Sequence, residues 1–124
     1  MANVILDKSF HYAQLTISAY LALREKGHFR LADQLVGSGT SIGANIEEAQ
    51  AAHSKLDFIA KLTIVNKEAR ESKYWIALLD RDQLLKNHNG ISEMKKEIDE
   101  IILLLNSIIK KSRENLKKKF SSWI

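Results

Sequence analysis

Apolar residues return every three or four positions along almost the whole chain, and nowhere does a long stretch alternate with period two. That periodicity predicts helices and no sheet. The first helix is expected from a cap at Asp7 or Ser9 to about Lys26, with Leu6, Phe10, Ala13, Ile17 and Tyr20 as a core row spaced 4-3-4-3. Lys26 and Gly27 then supply a basic last turn and a left-handed stop. A second helix is expected over Phe29 to Ala52, its seam reading Leu31, Leu35, Ser38, Ile42, Asn45, Ala49 and Ala52. Ser54 caps a third helix reaching about Lys86, with the row Phe58, Leu62, Val65, Ala69, Ser72, Ile76 and Leu79. Asn87-His88-Asn89-Gly90 is the clearest turn. A fourth helix follows through Ile91, Met94, Ile98, Ile101 or Ile102, Leu105 and Ile108 or Ile109.

Four helices of similar length on short turns make an all-α, antiparallel up-down-up-down four-helix bundle. Residues 1–124 are expected to form one domain, with 110–124 a basic, aromatic-containing extension of helix 4. There is more apolar surface than one core needs. Helix 1 adds Tyr12, Leu15, Ala19 and Leu23; helix 3 adds Ile64, Trp75 and Leu78; helix 4 adds Leu103 and Leu104. Such a surplus points to a homo-oligomer.

The chain has no proline and no cysteine. A disulfide framework, a thiolate metal site and a cysteine nucleophile are therefore excluded. No apolar run approaches the length of a membrane span and no secretory signal pattern opens the chain, so a cytoplasmic protein without a membrane partner is expected.

One segment departs from good helix chemistry. Gly37-Ser38-Gly39-Thr40-Ser41-Ile42-Gly43-Ala44-Asn45 places three glycines in a predicted helix, at about 1 kcal/mol each relative to alanine. It is not a phosphate loop, because the terminal Gly-Lys-Ser/Thr is missing and no strand precedes it. Gly39 and Gly43, four apart, instead continue a ridge of mostly small residues from Ala32 and Val36, which lets a neighbouring helix approach closely. Ser38, Gly39, Ser41, Gly43 and Asn45 read together as a helix-packing signature. Asn45 falls in the seam, where a polar residue sets register and its amide needs an internal partner. Ser38 and Ser72 are candidates, or each bonds its own helix carbonyls.

Candidate chemistry is thin. A di-iron bundle needs Glu-x-x-His on two helices plus a glutamate from each of the others, and no two helices carry that motif. His11, His28, His53 and His88 are scattered, and His53 with Asp57 reads as a capping or surface pair. No serine or threonine sits in a nucleophile–base pattern. The expectation is no enzyme activity, no catalytic residue, no metal, no cofactor and no small-molecule substrate. Glu47, Glu48 and Glu71 read as ion-pairing residues, the last among Lys67, Arg70 and Lys73.

The net charge of +4 is not spread evenly. Residues 1–109 carry 13 Lys and Arg against 14 Asp and Glu, whereas 110–124 carry six bases against Glu114 alone. Lys110, Lys111, Arg113, Lys117, Lys118 and Lys119 are candidate nucleic-acid contacts along helix 4, where Ile109, Leu116, Phe120 and Trp123 keep an apolar stripe. One alternative is an amphipathic helix end that docks its stripe on a neighbouring helix or subunit with its lysines solvated, and a membrane surface ranks third; in a separate reading, a protein-interaction module, Phe120 and Trp123 contact a protein partner.

Ser38 to Ala52, then Ser54, Asp57-Phe58-Ile59 and Lys67-Glu68-Ala69-Arg70-Glu71-Ser72-Lys73-Tyr74-Trp75, resemble the bacterial four-helix-bundle proteins first noticed in intervening sequences of 23S rRNA genes, often labelled S23 ribosomal proteins. The likeness covers roughly residues 8 to 115. Many relatives have proline where Gly43 stands. The resemblance implies a ring-like homopentamer without enzyme activity or cofactor, and does not imply a structural component of the ribosome. The family is similar to the accessory protein of diversity-generating retroelements, a basic pentameric barrel that binds nucleic acid and a reverse transcriptase. By that analogy an RNA or ribonucleoprotein partner is expected here.

Overall fold

The computed structural model describes residues 2–123, and the side chains of residues 4–122. It contains α1 (Ala2–Glu25), α2 (Phe29–Ala49), α3 (Lys55–Leu79) and α4 (Ile91–Trp123). Each helix packs on the next and α4 closes back on α1, which is the up-down-up-down bundle. Gly27 ends α1 at φ +89°. The N–H of His28 reaches back to the carbonyl of Leu23 (2.9 Å) and that of Gly27 to Arg24 (2.9 Å), a left-handed cap that only glycine adopts without strain. Ser54 caps α3 by accepting from the Asp57 N–H (3.1 Å), and the Asp57 carboxylate accepts from the His53 N–H (3.1 Å).

Two helix ends differ from expectation. α2 stops at Ala49 rather than Ala52, because residues 50–52 tighten into bonds three residues back. α3 stops at Leu79 rather than near Lys86. Gln83 turns left-handed (φ 71°), and Leu85 folds back fully buried with its N–H on the Leu79 carbonyl (2.9 Å). Leu84 and Leu85 prolong the apolar period through this turn, so the pattern alone conceals the break.

The larger correction concerns α1. It begins at Ala2, before either expected cap, and its buried row is Ile5, Ser9, Tyr12, Thr16, Ala19 and Leu23. Of the expected core row, Phe10 is 67% exposed and Ile17 46% exposed, while Leu6, Ala13 and Tyr20 are half-buried. The reason is the approach of α2. A Cβ on Gly39 would lie 2.5 Å from Thr16 Cγ2, and one on Gly43 would lie 3.4 Å from Ser9 Oγ. This contact takes small hydroxyl residues and has no room for a phenylalanine. Thr16 Oγ1 donates to the Tyr12 carbonyl (2.8 Å) and Ser9 Oγ to the Leu6 carbonyl (3.0 Å), so both hydroxyls are satisfied within α1.

The seam polar residues also find other partners. Asn45 is half-buried beside the core residue Ile46, and its Nδ2 donates to Glu68 Oε1 on α3 (2.6 Å). Ser72 is buried and shares a hydrogen bond with the Tyr12 hydroxyl (2.6 Å), linking α1 to α3 across the core. Burial pushes the Tyr12 phenol up, against a smaller lowering by Ser72, so it stays neutral. Ser38 donates to the Leu35 carbonyl (3.1 Å) and Ser41 to the Ser38 carbonyl (3.0 Å), each within α2.

Ion pairs and a histidine–carboxylate hydrogen bond lace the flanks of α4. Lys8 on α1 reaches Glu97 (2.7 Å) and Glu100, His11 meets Glu93 (2.8 Å), and Lys73 on α3 meets Asp99 (2.8 Å). Glu100, then Glu97, hold the Lys8 ammonium above its ordinary range. Lys8 in turn holds the Glu100 carboxyl below its own. Glu47, Glu48 and Glu71 are exposed and make no ion pair among the described residues.

Candidate nucleic-acid interface

α4 has 33 residues against 25 in α3, about 50 Å against about 37 Å at 1.5 Å per residue. Its first 19 residues are anchored by Ile91, Met94, Ile98, Ile101, Leu105 and Ile109. Among the described residues past Ile109, only Ser112 is buried and only Leu116 half-buried. The helix therefore runs out along the start of α3 with most of its surface in water. All six candidate bases lie on this stretch, and all six are exposed.

They do not form one patch. Lys110, Arg113 and Lys117 sit at spacings of three and four, which puts them on one stripe of the helix. That stripe borders α3. With Thr63, Asn66 and Asn106 it lines an open groove of about 370 Å³, with Glu114 on its wall. Asn66 Nδ2 donates to Asn106 Oδ1 (2.6 Å), while Asn66 Oδ1 is buried and has no partner within the protein. Thr63 Oγ1 donates to the Ile59 carbonyl (2.8 Å). The asparagines and Thr63 were not legible as site residues, since nothing in the sequence pairs positions 40 apart.

The other bases lie apart from this groove. Lys111 and Lys118, seven apart, share a second stripe. Lys119 borders a more apolar groove of about 480 Å³ between the start of α3 and the end of α4, walled by Lys55, Leu56, Leu116 and Phe120. Phe120 is 70% exposed, and the side chain of Trp123 lies outside the described residues.

The glycine segment has a different character. The hydroxyls of Ser38, Thr40 and Ser41 all donate to carbonyls of their own helix. Gly39 and Gly43 face α1, whereas a Cβ on Gly37 would meet nothing within 4 Å. Among the described residues, no group of three or more His, Asp or Glu is gathered to hold a metal ion. No helix among them is long and apolar enough to cross a membrane.

No curated protein matches the chain. Among solved structures it is similar to a protein of unknown function from the S23 ribosomal protein family of Bacteroides thetaiotaomicron, at 42% identity and a TM-score of 0.80, over 88% of this chain and 97% of that one. The profile of the 23S rRNA-intervening sequence protein family matches residues 2–107, ending just before the basic stretch. With that match over the bundle, the chain belongs to the 23S rRNA-intervening sequence protein family.

Proposed function

We propose that the protein is a non-enzymatic helical scaffold of several copies that binds RNA or a ribonucleoprotein partner through the basic end of α4, by charge and without base specificity. The observation that carries this reading is the concentration of six exposed bases on one projecting helix end of an otherwise near-neutral chain. Assembly is supported by exposed apolar rows outside the core: Phe10, Ile17 and Leu21 on α1, and Ile64, Tyr74 and Leu78 on α3. Copies gathered in a ring, a pentamer by family resemblance, would turn weak single-chain contacts into useful avidity. The reading places the protein in the cytoplasm.

Binding to a structured RNA between 50 and 200 mM salt tests it. Affinity is expected to fall steeply with salt, and to collapse when all six bases become glutamine. Undetectable binding, or binding indifferent to both salt and substitution, overturns it. Sedimentation with light scattering reads the assembly mass directly.

The second reading is a protein-interaction module without a nucleic-acid role. The exposed groove between Leu56 and Phe120 favours it. Loss of partners in Phe120→Ala but not in the glutamine variant would support this reading over the first.

A further inference from the structure

We infer that the α3–α4 groove is a discrete site for the sugar-phosphate backbone of single-stranded RNA, with Lys110, Arg113 and Lys117 on its phosphates and the exposed Asn106 amide, held by Asn66, on its sugars. This rests on the reading that the basic end of α4 binds nucleic acid, and says which half of that surface does so.

Three features separate this groove from the rest of the basic end. First, its cations are aligned: Lys110 to Lys117 spans about 10.5 Å of helix axis on one stripe, so a strand lying along α4 meets three positive charges in sequence. Second, its neutral wall carries polar side chains beside the largely buried Ile109. Asn66, Asn106 and Thr63 stand where the neighbouring groove has Leu56 and Phe120. An acidic amphipathic helix finds less apolar surface there than in the neighbouring groove, whereas a sugar-phosphate strand offers hydroxyls and oxygens to amides.

Third, one exposed amide is held ready to donate to a hydroxyl. Asn66 engages Asn106 Oδ1, which fixes the exposed Asn106 side chain and leaves its Nδ2 as a donor. Asn66 Oδ1 is itself buried, so the contact left to a strand in the groove is Asn106 Nδ2. A ribose 2′-OH both donates and accepts, and deoxyribose lacks it. Glu114, four residues from Lys110 and three from Lys117, lies on the same face and offsets one of the three charges.

The test uses two variants of equal charge. One replaces Lys110, Arg113 and Lys117 by glutamine; the other replaces Lys111, Lys118 and Lys119. All six side chains are exposed, so both variants should keep the wild-type melting temperature. Binding of an unstructured, labelled oligouridine RNA is then measured against salt. The groove variant is expected to lose at least tenfold more affinity than its counterpart, and its log–log salt slope to shrink by about 2, at about 0.7 per phosphate contact for a single strand. Asn106→Ala keeps every charge. It should lower RNA affinity several-fold at unchanged salt slope and bring it towards that of the matching oligodeoxyuridine.

Equal losses in the two triple variants would overturn the groove assignment while leaving the charge-driven reading standing. Wild-type protein that binds no RNA would overturn both. Asn106→Ala without effect on RNA relative to DNA would remove the sugar contact from the proposal.

Discussion

The α1–α2 contact and the far end of α4 are built on opposite terms. Between α1 and α2, Thr16 and Ser9 seat against Gly39 and Gly43 so closely that a single added carbon at Gly39 has no place. At the end of α4, long charged side chains stand in water with hardly a contact to constrain them. The first region determines whether the bundle forms. The second can change its residues with little effect on folding, which is the freedom a binding surface needs.

The strongest way to break this contrast is Gly39→Leu. Forcing a branched side chain into Thr16 should cost about 3 kcal/mol or more, read as a fall in the urea midpoint. A variant as stable as the parent would mean that α1 and α2 are not in close contact. Next comes the buried hydroxyl pair. Ser72→Ala strands the Tyr12 hydroxyl and should cost about 1–3 kcal/mol, while adding Tyr12→Phe should restore part of that loss. A double-mutant cycle showing simple additivity would deny the link between α1 and α3.

Gly37 sharpens the comparison within the glycine segment itself. It lies two residues from Gly39 but faces open space, so Gly37→Ala should raise stability by about 0.5–1 kcal/mol through helix propensity and lost unfolded-state freedom. Destabilisation instead would reveal a contact at Gly37 made only in the assembled protein.

A smaller effect belongs to the turn between α3 and α4. Burial, and then the charge of Lys26, hold the His88 imidazole below its ordinary value of 6.5. The unfolded chain therefore takes up this proton first as the pH falls. The stabilising contribution of His88 is complete above about pH 6.5 and lost as pH drops through the lowered folded value. Denaturation curves at pH 7.5 and 5 should show His88→Asn flattening this part of the profile. Least of all, replacing Lys117, Lys118 and Lys119 by glutamine should move stability by no more than about 0.5 kcal/mol, as thermal melts can show. A larger loss would mean that the end of α4 is held in place and that the contrast is overstated.

Much of the bundle was legible along the chain. The α3 row from Leu62 to Leu79 and the α4 row from Ile91 to Ile109 are buried as their spacing predicts, and Gly27 and Ser54 mark helix ends through local chemistry that needs no tertiary context. The concentration of bases after Ile109 was equally plain. Their division into an aligned stripe beside Asn66 and Asn106 and a separate set was not, because it depends on which side of α4 meets α3.

The family resemblance too was carried by the segment from Ser38 to Trp75, whose residues serve close packing and caps. On α1, however, two rows share the 4-3-4-3 spacing, and composition favours the greasier one with Phe10 and Ile17. The sequence by itself determined four helices, their order, and where charge gathers, since periodicity and capping are properties of neighbouring residues. Only the tertiary structure decided which face of α1 turns inward. That choice belongs to Gly39 and Gly43 on another helix, whose missing side chains admit Thr16 and Ser9 and leave Phe10 outside.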